Sequence, residues 1–120
     1  MKYILLIYSS AETWNALSPE DREQFATDHD DLNAELLGSG EWVGGNALTD
    51  LARGRTVRVR DGATITTEGP FAETREHLAG YTLLDVPSLD RAIEIAARIP
   101  DARLCGVEVR ELMDPGGLEM

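Results

Sequence analysis

The chain has 120 residues, a single cysteine, 42% hydrophobic residues and a formal net charge of −11. That suits one domain with a core of its own and is too apolar for a disordered chain. It excludes a disulfide within the chain and a four-thiolate zinc site, and so acidic a surface opposes direct contact with nucleic acid or anionic membranes.

Residues 2–8 read as a strand that is apolar on both faces, with Tyr3, Leu5 and Ile7 on one side and Ile4, Leu6 and Tyr8 on the other. Such a strand needs cover on both sides. The run is too short for a signal peptide, and no segment approaches the ~20 apolar residues of a membrane span, so a cytoplasmic protein without membrane contact is expected. Ser18-Pro19 opens a helix, with Ser18 as N-cap and Pro19 in the first turn. Glu20, Asp21 and Glu23 favour its positive end. Phe25, His29, Leu32 and Leu36 form one stripe along it, and Gly38 and Gly40 end it.

Residues 41–49 form a second predicted strand, in which Gly44-Gly45 signals a bulge or a close backbone approach. Residues 56–67 form a hairpin around Asp61-Gly62. A two-residue turn would pair Arg58 with Ile65 and mix its faces. A three-residue loop, Arg60-Asp61-Gly62, pairs Val57 with Ile65 and Val59 with Ala63 and gives a cleaner apolar face, so the bulged turn is the expected one. Arg53, Arg55, Arg58 and Arg60 read as a solubilising strand edge ahead of a local anion site.

A strand follows over residues 80–86, then a helix over 89–99 with Leu89, Ile93, Ala96 and Ala97 as its buried stripe and Pro100 past its end. The last strand spans 104–112. Cys105, Val107 and Val109 face one way in it, and Cys105 reads as a buried structural thiol. Residues 1–113 form the domain and 114–120 a frayed tail. The order β-α-β-hairpin-β-α-β is that of an α+β, ferredoxin-like split βαβ domain with an inserted hairpin. Helices cover one face of such a sheet, and a second copy of the chain is the simplest cover for the other.

One segment is specific. Glu68-Gly69-Pro70-Phe71-Ala72-Glu73-Thr74-Arg75-Glu76 resembles the signature Asp-Gly-Pro-Phe-Ala-Glu-Thr-Lys-Glu of the YCII-related, DGPF-type family. Seven of nine positions agree, and the other two keep their charge. The resemblance implies a homodimeric α+β barrel, in which two ferredoxin-like sheets pack face to face. It also implies a histidine working with a carboxylate in a cleft, and an association of DGPF relatives with sigma-factor-like regulators.

His29 points inward from its helix and suits proton transfer near neutral pH. Its alternative is a core histidine with one backbone hydrogen bond. The neighbouring Asp28, Asp30 and Asp31 point about 100° apart from one residue to the next, so they read as a solvated face and not a metal site. In the signature segment, Gly69-Pro70 makes a tight turn, Phe71 anchors it by burial, and Glu68, Glu73 and Arg75 are charged groups on a rigid loop. His77 just beyond it reads as exposed. Trp14, Trp42 and Tyr81 could line a pocket, though aromatics more often serve core or interface.

The leading functional expectation is a small-molecule site. His29 is its acid or base, Glu68 or Glu73 its carboxylate partner, and Arg75 the clamp for an anionic ligand. Gly69, Phe71 and Tyr81 complete the binding set, with no cofactor and no metal. The alternatives are a non-catalytic ligand-sensing or protein-binding regulatory module, and a structural dimer with the signature loop as its latch.

Overall fold

A computed structural model describes residues 1–71 and 74–113. Four strands form one antiparallel sheet in the order β2-β5-β1-β6, from β1 (Lys2–Ser9), β2 (Trp42–Ala47), β5 (His77–Asp85) and β6 (Gly106–Glu111). Helix α2 (Pro19–Ser39) connects β1 to β2, and α3 (Leu89–Arg98) connects β5 to β6. These are the two interleaved βαβ halves of a ferredoxin-like fold. Between the halves stands a separate two-stranded ribbon, β3 (Arg55–Arg60) with β4 (Ala63–Glu68). A short helix α1 (Ala11–Asn15), without a counterpart in the sequence reading, follows β1.

Alternation along β1 decides where the core lies. Tyr3, Leu5 and Ile7 are buried under the helices, with Leu5 fully enclosed. They meet Leu32 and Leu36 of α2, Leu84 of β5, and Ala92, Ile95 and Ala96 of α3. Each large aliphatic side chain buried this way contributes about 1.5–3 kcal/mol. Ile4, Leu6 and Tyr8 point to the opposite face and are only half-buried. The molecule is 19 Å along its thinnest axis, about the depth of one helix layer on one sheet. Among the described residues no helix covers that second face.

Helix α2 begins as expected: the Ser18 hydroxyl oxygen accepts from the Asp21 amide at 3.0 Å, and Gly40 closes its C-terminus. Helix α3 is rotated from the expected stripe. Ala92, Ile95, Ala96 and Ile99 are buried, whereas Leu89 and Ile93 are exposed. The spacing of three, one and three is a complete helical stripe, and Ile99 and the fully buried Pro100 carry it on into the core. The set Leu89, Ile93, Ala96 and Ala97 has no such continuation.

The hairpin departs from the bulged turn. Arg60 pairs with Ala63, Val59 with Thr64 and Arg58 with Ile65, so the loop is the two residues Asp61 and Gly62, with φ of 52° and 77°. Both are left-handed, as a two-residue turn of matching twist requires, and Asp-Gly supplies them at low cost. No apolar side chain of the ribbon packs on the core, so an apolar face does not select its register. Val57, Val59 and Ile65 are all exposed, so turn chemistry alone set the register.

Gly44-Gly45 does mark a bulge, between Trp42 and Gly44 in the pairing with β5. A Cβ on Gly45 would lie 2.6 Å from the Tyr81 carbonyl oxygen and 2.9 Å from the Trp42 ring, so the close approach admits only glycine. Strand β5 begins three residues earlier than expected, which leaves His77 half-buried and not exposed. Cys105 lies just before β6 and is half-buried, its Sγ 3.5 Å from Thr13 Oγ1. Residues 114–120 lie outside the described residues.

Candidate functional site

Between the helix side of the sheet and the N-terminal half of α2 lies a cleft of about 760 Å³. Its origin is the bulge in β2. The shift keeps both Trp42 and Gly45 on the helix face, and Gly45, Ala47 and Gly80 leave the sheet beneath nearly bare. Ile7 of β1, Trp14 of α1 and Phe25 of α2 close the sides. The aromatic wall is layered. Trp14 meets Phe25 edge-on at 5.3 Å between centroids, and Phe25 lies 4.8 Å from the His29 ring.

His29 is placed by the helical stripe that buries Leu32 and Leu36 further along α2. Its Nε2 lies 2.6 Å from Oδ1 of Asp101. The His29 side chain is 24% exposed and that of Asp101 8%, so the pair is sheltered and still open to the cleft that both line. Asp101 sits in the short 3₁₀ turn Pro100–Arg103 that leads from α3 to β6. Its main-chain carbonyl accepts from the amides of Leu104 and Cys105 at 3.1 and 2.9 Å, which fixes the carboxylate's direction. A carboxylate accepting from Nε2–H holds the imidazole in one tautomer and leaves Nδ1 with a free lone pair.

The carboxylate that meets His29 is that of Asp101, a residue outside the expected pair Glu68 and Glu73. Glu68 ends β4 with its side chain largely exposed, 3.9 Å from Arg55, and lines no part of the cleft. Glu73 lies outside the described residues. Asp101 had one signal in the sequence: an acidic residue directly after the apolar pair Ile99-Pro100, where a solvated carboxylate has little reason to sit.

The described residues of the signature segment do not converge on His29. Gly69 has φ of 90°; its amide donates to the Gly54 carbonyl at 3.0 Å, and its own carbonyl accepts from the Thr56 hydroxyl at 2.9 Å. It closes the base of the ribbon. Phe71 is 76% exposed, with the Arg58 guanidinium 4.9 Å above its ring, so it does not anchor the loop by burial. Arg75 pairs with Glu12 and borders a second, smaller hollow of about 520 Å³ with Asp50, Thr74 and His77. Tyr81 belongs to the wall of the main cleft, but its strand register pairs it with Leu6. That places its ring on the open face of the sheet, so its backbone borders the cleft.

Trp14 and Trp42, read above as pocket residues or, more often for aromatics, core or interface, both line the cleft. Among the described residues no three histidine, cysteine, aspartate or glutamate side chains gather as a metal ion would need. No helix among the described residues is long and apolar enough to cross a membrane.

A protein of Rhizobium meliloti (strain 1021), described as uncharacterised, is 32% identical over 102 residues, which span 85% of this chain and 82% of that protein. The family model described as the YCII-related domain matches residues 1–115. That match runs through every strand of the sheet, both long helices and the His29–Asp101 cleft, and the chain belongs to the YCII-related family.

Proposed function

We propose that the cleft is a small-molecule site in which His29 is the general acid and base and Asp101 its positioning residue. The carrying observation is the 2.6 Å contact between His29 Nε2 and Asp101 Oδ1 at the edge of a large aromatic-walled cleft. In this reading Nδ1 takes a proton from the bound compound, the Asp101 carboxylate stabilises the imidazolium that forms, and the same proton returns to a second atom of the compound. Isomerisation and elimination share that sequence; in hydrolysis the proton comes instead from an attacking water and passes to the leaving group as its bond breaks, and none of the three calls for a cofactor. Positioned acid–base groups of this kind contribute typically about 10²–10⁴-fold in rate.

The test is a thermal-shift screen of small metabolites on wild type, His29→Ala and His29→Gln. A compound at about 100 times its Kd adds about 2.7 kcal/mol to stability. The expected hit stabilises wild type and is consumed by it, and His29→Gln binds it without turnover. Equal turnover by His29→Gln would overturn the role given to His29.

A homodimer also belongs to this reading. The open face of the sheet presents Ile4, Leu6, Tyr8, Tyr81 and Leu83, an apolar set that a second copy would cover sheet against sheet. A non-catalytic, protein-binding role is the second reading. It is favoured by the β3–β4 ribbon, whose Val57 and Val59 are about 60% exposed; isolated two-stranded ribbons are marginal without a partner surface.

A further inference from the structure

The wall of the main cleft carries a charge preference that the dyad alone does not explain. Among the described residues its ionisable side chains are His29, Asp30 and Asp101, and no lysine or arginine lines it. Its polar neutral groups include Asn33 and Asn46, and its apolar body is Trp14, Phe25 and Trp42. Behind the wall, Arg22 lies 5.1 Å over the Trp14 ring and donates from Nη2 to the Trp14 carbonyl at 3.1 Å; its buried Nε makes no hydrogen bond among the described residues, and the side chain does not line the cleft. Arg75, the residue expected to hold an anion, borders the other hollow and is paired with Glu12.

A carboxylate or phosphate entering this cleft would lose its water and find no cation in the lining. It would also approach two carboxylates within a protein of net charge −11, whose field opposes it from a distance. A protonated amine meets the opposite conditions. Asp30 is exposed at the cleft and makes no ion pair among the described residues. The aromatic wall offers ring faces, which attract ammonium groups, and the His29 lone pair accepts a hydrogen bond from N–H.

We infer that the cleft takes a ring-bearing amine in preference to the corresponding acid, with the ring against Trp14, Phe25 and Trp42 and the ammonium toward Asp30. This rests on reading the cleft as a small-molecule site and assigns the class of molecule it holds.

The chain has two tryptophans and both line the cleft, so intrinsic fluorescence reports on it directly. Titrations with benzylamine, benzyl alcohol and benzoate keep the ring constant and vary the charge, with methylammonium and acetate as ringless controls. Benzylamine should produce a saturable change with a Kd about tenfold below that of benzoate. Asp30→Asn should remove most of that advantage and leave benzyl alcohol unchanged. Benzoate binding as tightly as benzylamine would overturn the amine preference while leaving the cleft a small-molecule site. No saturable change with any of the three rings would overturn the cleft as a binding site, and the inference with it.

Discussion

His29 Nε2 and Asp101 Oδ1 meet at 2.6 Å across 72 positions of sequence, joining the middle of α2 to the turn that follows α3. The contact is made on the side of the sheet where the helices pack, so it joins two elements of the core and contributes to the fold's own stability.

Breaking that pair should therefore be measurable without a substrate. Asp101→Ala leaves a sheltered imidazole without its partner, and the loss should be about 1–3 kcal/mol in urea unfolding. Asp101→Asn keeps an acceptor oxygen and should lose clearly less. Equal stability of Asp101→Ala and wild type would mean that the contact does not persist in solution.

The open sheet face gives a second test. Leu6 is half-buried and its neighbour Leu5 is fully enclosed, and the two point to opposite faces. Leu6→Asp should leave a folded chain and halve the mass seen by light scattering, from twice 13.2 kDa to the single-chain value. Leu5→Asp should fail to fold, since it leaves an unpaired charge in the core. A dimeric Leu6→Asp would remove the sheet face as the site of association.

These two tests use what the sequence made legible and what it did not. Both faces of β1, the stripe through His29 and the capping of α2 are local patterns of period two or 3.6, and they could be read directly. The partner of His29 could not. Asp101 lies beyond the end of another helix, and no local pattern reports that the turn of Pro100–Arg103 folds back on α2. Charged residues of the signature segment drew attention as the nearest candidates, yet Glu68 and Arg75 serve the ribbon and the second hollow. The ribbon's register differs from the expected one for a related reason. A rule that places apolar residues toward a core has no force where the strands meet no core.

The turn of the ribbon supplies a third expectation. Gly62 has φ of 77°, and a β-branched residue held there costs about 1–2 kcal/mol. Gly62→Val should speed amide exchange in β3 and β4 by roughly tenfold while leaving the amides of β1 and β5 unchanged, because the ribbon forms a sheet of its own. Protection lost equally in the four-stranded sheet would show that ribbon and core unfold as one unit.

Glu41 gives the fourth, through pH. The Arg91 side chain holds it with two charge-assisted bonds, Nε to Oε2 at 2.7 Å and Nη2 to Oε1 at 2.9 Å, and the Ser39 hydroxyl adds a third at 2.8 Å. Arg91 first, then Ser39, hold the Glu41 carboxyl down at about 2, from an ordinary value of 4.5. The folded state thus favours the ionised form, so the stabilisation is fully present above pH about 4.5 and is lost as pH falls through about 2. Glu41→Gln should lower the melting temperature near neutral pH by a few degrees. The gap to wild type should then close as the solution is acidified across that window, because wild type loses its ionised partner there and the glutamine variant has none to lose. A gap that stays constant down to pH about 2 would mean that the clamp between β2 and α3 owes its strength to packing, with the charge on Glu41 contributing nothing.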